Sequence, residues 1–114
     1  MKTTDTPGEA LLVLSTFPDQ PKAIEVANAI VTERLAACAN LIPAVRSLYR
    51  WEGELCDDAE VLVLLKTSAD RFDDLRARIV ELHPYDCPEV IALPVCAGHL
   101  PYLEWVNEST RKDQ

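Results

Sequence analysis

Two stripes of apolar residues at helical spacing, each set between strand-like runs, constrain this chain more than any other feature. Leu11-Leu12-Val13-Leu14 continues through Ser15-Thr16-Phe17 with no polar alternation, the pattern of a central strand. Asp19 is an N-cap candidate and Pro21 suits a first helical turn. Beyond them Ile24, Ala27, Val31 and Leu35 recur at helical spacing, and Ala23, Val26 and Ile30 widen the stripe. Ala37 to Ile42 reads as a strand ended by Pro43. Val45 to Trp51 carries β-branched and aromatic residues, with Val45, Ser47, Tyr49 and Trp51 on one face. Glu52-Gly53-Glu54 is a turn and Glu60 to Leu65 the returning strand, so a long hairpin is expected.

Ser68 is placed to cap a second helix, whose stripe is Phe72, Leu75, Ile79 and Leu82. Asp74 and Arg78 stand four apart, the spacing of a surface ion pair. Pro84 disfavours helical geometry at His83 and ends this helix there. Val90 to Leu93 is a last strand, and Tyr102 to Val106 a short final helix. Strand, helix, strand, strand, helix, strand is the split βαβ order. It predicts an α+β, ferredoxin-like sandwich, an antiparallel sheet with helices on one face, plus the appended C-terminal helix. Strands this rich in Leu, Val and Ile leave the uncovered face too apolar for water, so oligomerisation is expected.

The 114 residues suit one domain over 10–110, after a disordered lead-in at 1–9 and before a polar tail at 111–114. Such a core needs no cofactor to fold. The lead-in has no apolar h-region, which predicts a cytoplasmic protein, and no run is long enough to span a bilayer. A net charge of −8 with scattered Lys and Arg argues against a nucleic-acid partner.

Candidate chemistry concentrates in His83-Pro84-Tyr85-Asp86-Cys87-Pro88-Glu89, where two prolines stiffen a loop carrying an imidazole, a thiol and carboxylates. His83 with a thiol or carboxylate can bind copper or zinc. Cys38, Cys56, Cys87 and Cys96 contain no CxxC pair and read as reduced thiols, Cys38 within a buried apolar run. A closed zinc site from His83, Cys87, Cys96 and His99 is disfavoured, because the strand between the pairs sends its ends in opposite directions. There is no GxSxG, no HExxH and no glycine-rich phosphate loop, and Pro18 and Pro21 remove donors after the first strand. The chain reads as a binding protein, not an enzyme, with a small hydrolase as the remote alternative.

Leu35-Ala36-Ala37-Cys38-Ala39-Asn40, Ser47-Leu48-Tyr49-Arg50-Trp51-Glu52-Gly53, Lys66-Thr67, His83-Pro84-Tyr85 with Pro88-Glu89, and Tyr102-Leu103-Glu104-Trp105 resemble the CutA divalent-cation tolerance family. The match is collinear from about Leu11 to about Asn107. The resemblance implies a ferredoxin-like homotrimer whose hairpins reach across to neighbours. It further implies a link to tolerance of copper or another divalent cation. His83 matches the family's metal-linked histidine and Cys38 its motif cysteine. Ser15 stands where some copper-binding members carry cysteine, and Leu82 where some carry a second histidine; Cys87 offers a replacement thiol. Trp51, Glu60 and Tyr85 are expected to line an intersubunit cleft that takes a metal ion or small molecule. Because the family trimer resembles the nitrogen-regulatory PII proteins, a signalling trimer without a physiological metal is the alternative.

Overall fold

A computed structural model describes residues 9–112; the expected lead-in and the end of the polar tail fall largely outside them. The elements are β1 (Ala10–Phe17), α1 (Gln20–Thr32), β2 (Cys38–Trp51), β3 (Glu54–Ser68), α2 (Phe72–Leu82), β4 (Ile91–Pro94) and α3 (Leu100–Ser109). The sheet runs β2-β3-β1-β4 with every neighbouring pair antiparallel, the split βαβ topology expected. No helix among the described residues is long and apolar enough to cross a membrane.

Helix α1 starts where Asp19 Oδ1 accepts the Lys22 backbone N–H at 2.9 Å. It ends in a Schellman-type closure, Arg34 N–H to Val31 O and Leu35 N–H to Ile30 O, with Arg34 left-handed at φ 64°. The buried stripe of α1 is Ala23, Val26, Ala27 and Ile30. Ile24 is 52 % exposed and Val31 faces outward, so the true stripe is centred about one residue away from the expected one. Ala23 and Ala27 let the helix approach the sheet closely, which the larger side chains would prevent.

Ser68 does not cap α2. Its Oγ donates to Asp70 Oδ1 at 2.7 Å, and a 3-10 turn at Ala69–Arg71 leads into the helix. The Asp74–Arg78 pair is absent too. Arg78 instead forks onto both Glu33 oxygens at 2.9 Å, tying α2 to α1, and Asp74 takes Arg71. A bidentate contact holds the planar guanidinium better than a single-point surface pair. Leu75 and Ile79 from α2 pack fully buried against Val13, Phe17, Val63 and Leu65 of the sheet. Each such side chain contributes roughly 1.5–3 kcal/mol by burial.

The two expected runs before the hairpin turn form a single strand. β2 passes through Pro43 and Ala44 as a β-bulge, with Ala44 at φ 63°. Ile42 faces Leu62 and Val45 faces Glu60, so β2 spends one residue more than β3 across the bulge. The extra residue exchanges the faces, and Val45, Ser47, Tyr49 and Trp51 continue the face of Ile42. The hairpin closes on Glu52 (φ 50°) and Gly53 (φ 82°), a two-residue turn with both central residues left-handed. The projecting hairpin stretches the molecule to 53 × 25 × 22 Å.

On the sheet face opposite α1 and α2, α3 covers the Ala10–Ser68 end. There Val106 is buried, and the Ser68 and Thr110 hydroxyls lie 2.9 Å apart. The rest of that face keeps Leu14, Leu62 and Leu64 half-buried and Ile42, Ile91 and Leu93 exposed, side by side in register. Among the described residues nothing covers this apolar surface.

Candidate functional site

The His83 to Glu89 loop turns around the end of β1, from the helix layer to the opposite face. His83 is the extended C-cap of α2 (φ −72°, ψ 142°), as the following proline requires. Its ring is 8 % exposed and stacks on Phe17 at 4.3 Å between centroids. Nε2 donates to the Thr16 carbonyl at 2.7 Å, and Nδ1 accepts the Tyr85 N–H at 3.1 Å. This pattern belongs to the neutral Nε2–H tautomer. Burial lowers the His83 pKa from its ordinary value and keeps the ring uncharged.

Past Pro84, Tyr85 reaches β3, where its hydroxyl donates to Glu60 Oε2 at 2.7 Å. Glu60 is 7 % exposed, and among the described residues only Tyr85 donates a hydrogen bond to it. Burial, reinforced by the Glu60 carboxylate, pushes the Tyr85 pKa far above the ordinary range, so the hydroxyl stays a donor at any physiological pH. Tyr49 donates in turn to Asp58 on the hairpin, which raises its pKa as well.

These groups line a cleft of about 570 Å³. Thr16 and Glu60 form its floor, Ser47, Leu48, Tyr49 and Trp51 one wall, and Tyr85, Asp86, Cys87 and Glu89 the other. Trp51, Glu60, Tyr85 and Cys87, each singled out from sequence, therefore share one cavity, and His83 sits directly behind it. Cys38 does not join them. It pairs with Lys66, which faces Leu12, four residues from Thr16 along β1 and so about 13 Å away by strand rise. Cys38 is half-buried on the face opposite α1 and α2, with Lys66 Nζ at 3.9 Å, not inside the core as expected. Among the described residues no three His, Cys, Asp or Glu side chains gather as a metal-ligand set. All four cysteines are free thiols.

Sequence reasoning placed Asp86 and Glu89 in the candidate loop but missed Thr16, Ser47, Leu48 and Tyr49 as lining residues. The signal for the hairpin wall was Pro43-Ala44, because the bulge decides which hairpin face meets the loop.

The chain matches the family model described as CutA1 divalent ion tolerance protein over residues 11–109. It is 46 % identical over 99 residues to the divalent-cation tolerance protein CutA of Thermus thermophilus, covering 87 % of this chain and 96 % of that one. It is 44 % identical to human CutA over 104 residues, covering 91 % of this chain but only 58 % of the longer human protein. The crystal structure of CutA1 from Oryza sativa superposes with a TM-score of 0.92 at 41 % identity, covering 96 % of this chain and all of that one. A family match spanning nearly every element, with close relatives and a shared fold, leaves one assignment: this chain belongs to the CutA1 divalent ion tolerance family.

Proposed function

We propose that this protein is a non-enzymatic homotrimer, linked to divalent-cation tolerance, whose cleft between hairpin and His83–Glu89 loop binds a cationic ligand. The observation that carries the reading is Glu60, a buried carboxylate at the floor of an open cleft with, among the described residues, a single neutral donor. A buried charge so lightly compensated favours an incoming cation. The apolar face of Leu14, Leu62, Leu64 and Ile91 supports assembly, since an exposed patch of this kind in water calls for a partner. A trimer places hairpins of neighbouring copies against these loops.

A divalent ion such as copper, entering the cleft, finds the Cys87 thiol and the Glu60, Asp86 and Glu89 carboxylates spread along its lining, and the chain must draw them together to bind it. His83 joins as a ligand only if Nδ1 gives up the Tyr85 N–H; otherwise it holds the loop in place. Cys38, beside Lys66, is a separate soft donor on the same sheet face. The binding-protein reading rests on the wiring of His83: with Nε2 on Thr16 and Nδ1 on Tyr85, it is not engaged as a base toward Cys87. A cytoplasmic place belongs to the same proposal; relatives are named as chloroplastic in rice and periplasmic in Archaeoglobus fulgidus.

Copper titration of wild type, Cys87→Ser, Glu60→Gln and His83→Ala tests the site. Cys87→Ser and Glu60→Gln are expected to weaken binding at least tenfold, and His83→Ala chiefly to lower stability. Equal affinities across all four would dispose of the cleft as a metal site. Native mass spectrometry must find three chains; a monomer ends the trimer reading.

A further inference from the structure

The geometry points to an organic ammonium cation as the ligand class of this cleft, a conclusion that rests on its being the binding site. Three observations combine. The rings of Tyr49, Trp51 and Tyr85 border a cavity of about 570 Å³, the size of pockets for small molecules and far larger than a bare ion requires. Glu60, Asp86 and Glu89 supply three carboxylates, and among the described residues of one chain no Lys, Arg or His lines the cavity. Glu60 is more than nine-tenths buried, and among the described residues only its Oε2 receives a hydrogen bond, from Tyr85.

Each observation narrows the ligand. The three carboxylates repel nucleotides, phosphates and carboxylic acids, which need positive partners. A metal ion needs several donors converging at one point, and the described residues gather no such trio. An ammonium group asks for less strict geometry: ring faces within about 6 Å and a carboxylate nearby. Trp51 is 48 % and Tyr49 40 % exposed, so both rings still offer area to a guest. Tyr85 is different, since its hydroxyl is committed to Glu60 and its ring is thereby fixed in place. The site is a preformed wall and floor, with the hairpin closing over the ligand from the other side. Primary, polyamine and quaternary ammonium groups share the required chemistry, and the probes below separate them.

The test uses the full chain carrying Trp105→Phe, which leaves Trp51 as the only tryptophan to report on the cleft. Tetramethylammonium, choline and spermidine chlorides are titrated, followed by fluorescence and calorimetry. The neutral choline isostere 3,3-dimethylbutanol and ATP serve as controls. At least one ammonium probe should bind saturably and at least tenfold more tightly than dimethylbutanol, with no binding of ATP in the cleft. Glu60→Gln should weaken that probe at least tenfold; if this variant fails to fold, Asp86→Asn should weaken it several-fold. Absence of saturable ammonium binding, equal binding of the neutral isostere, or indifference to the folded variants overturns the proposal. Copper is titrated in parallel. Glu60-dependent copper binding without ammonium binding removes this inference and keeps the cleft as a site; binding of neither removes both.

Discussion

Tyr85→Phe isolates the contact on which the cleft depends. The substitution keeps the ring against His83, 4.8 Å between centroids, and removes only the hydroxyl that donates to Glu60 at 2.7 Å. A hydrogen bond to a charged group is worth about 1.5–3 kcal/mol, and its loss leaves a buried carboxylate without a donor. Because Tyr85 is only half-buried, water reaches part of the site, which places the expected loss near the lower end, about 1.5–2 kcal/mol. At about 4–8 °C per kcal/mol for a domain of this size, the melting temperature should fall by roughly 6–16 °C. The assay is denaturant unfolding at one fixed chain concentration, since assembly couples stability to concentration. A difference below about 0.5 kcal/mol at pH 7 would refute the reasoning, because ordinary hydrogen-bond loss alone exceeds it.

Other consequences follow from the same contacts. The folded pKa of His83 lies below its unfolded value, so its contribution is fully present above about pH 6.5 and is lost as pH falls through the folded value. His83→Ala should remove that acid-side slope and cost about 2–4 kcal/mol, from the Phe17 stack, the Thr16 bond and a partial cavity, as read by unfolding between pH 5 and 8. Ser15 Oγ is fully buried and has no hydrogen-bond partner among the described residues, so Ser15→Ala should be neutral or stabilising by about 1 kcal/mol in thermal unfolding. Gly53→Ala puts a side chain at φ 82° and should cost about 1–2 kcal/mol while leaving copper and ammonium affinities unchanged. Leu64→Lys, at the centre of the apolar face, should yield monomers in size-exclusion chromatography with light scattering; an intact trimer would show that the face is not the interface.

Most of the fold was legible because it rests on period and punctuation. The β1 run, the Asp19 cap and the Pro84 stop each act within a few residues, and the split βαβ order follows from them. The errors came where one contact competes with another of similar energy. Ile24 satisfies the same helical spacing as Ala23, but only small residues fit against the sheet at that point. Asp74 and Arg78 have the spacing of a pair, yet Arg78 finds a bidentate partner in Glu33, forty-five residues away. The candidate site was half legible. Tyr85, Cys87, Glu60 and Trp51 could be singled out by chemical type, whereas their convergence depends on the Pro43–Ala44 bulge and on a loop turning around β1. Nothing local encodes that the ring nitrogens of His83 are both occupied by backbone groups, because Thr16 lies sixty-seven residues away.

The most direct measurement is native mass spectrometry of the protein purified from its own cells, as wild type and as Glu60→Gln. The account predicts three chains carrying a cationic small ligand or divalent ion in wild type, and the same trimer without it in Glu60→Gln. A monomer, or a ligand retained equally by both proteins, would contradict it.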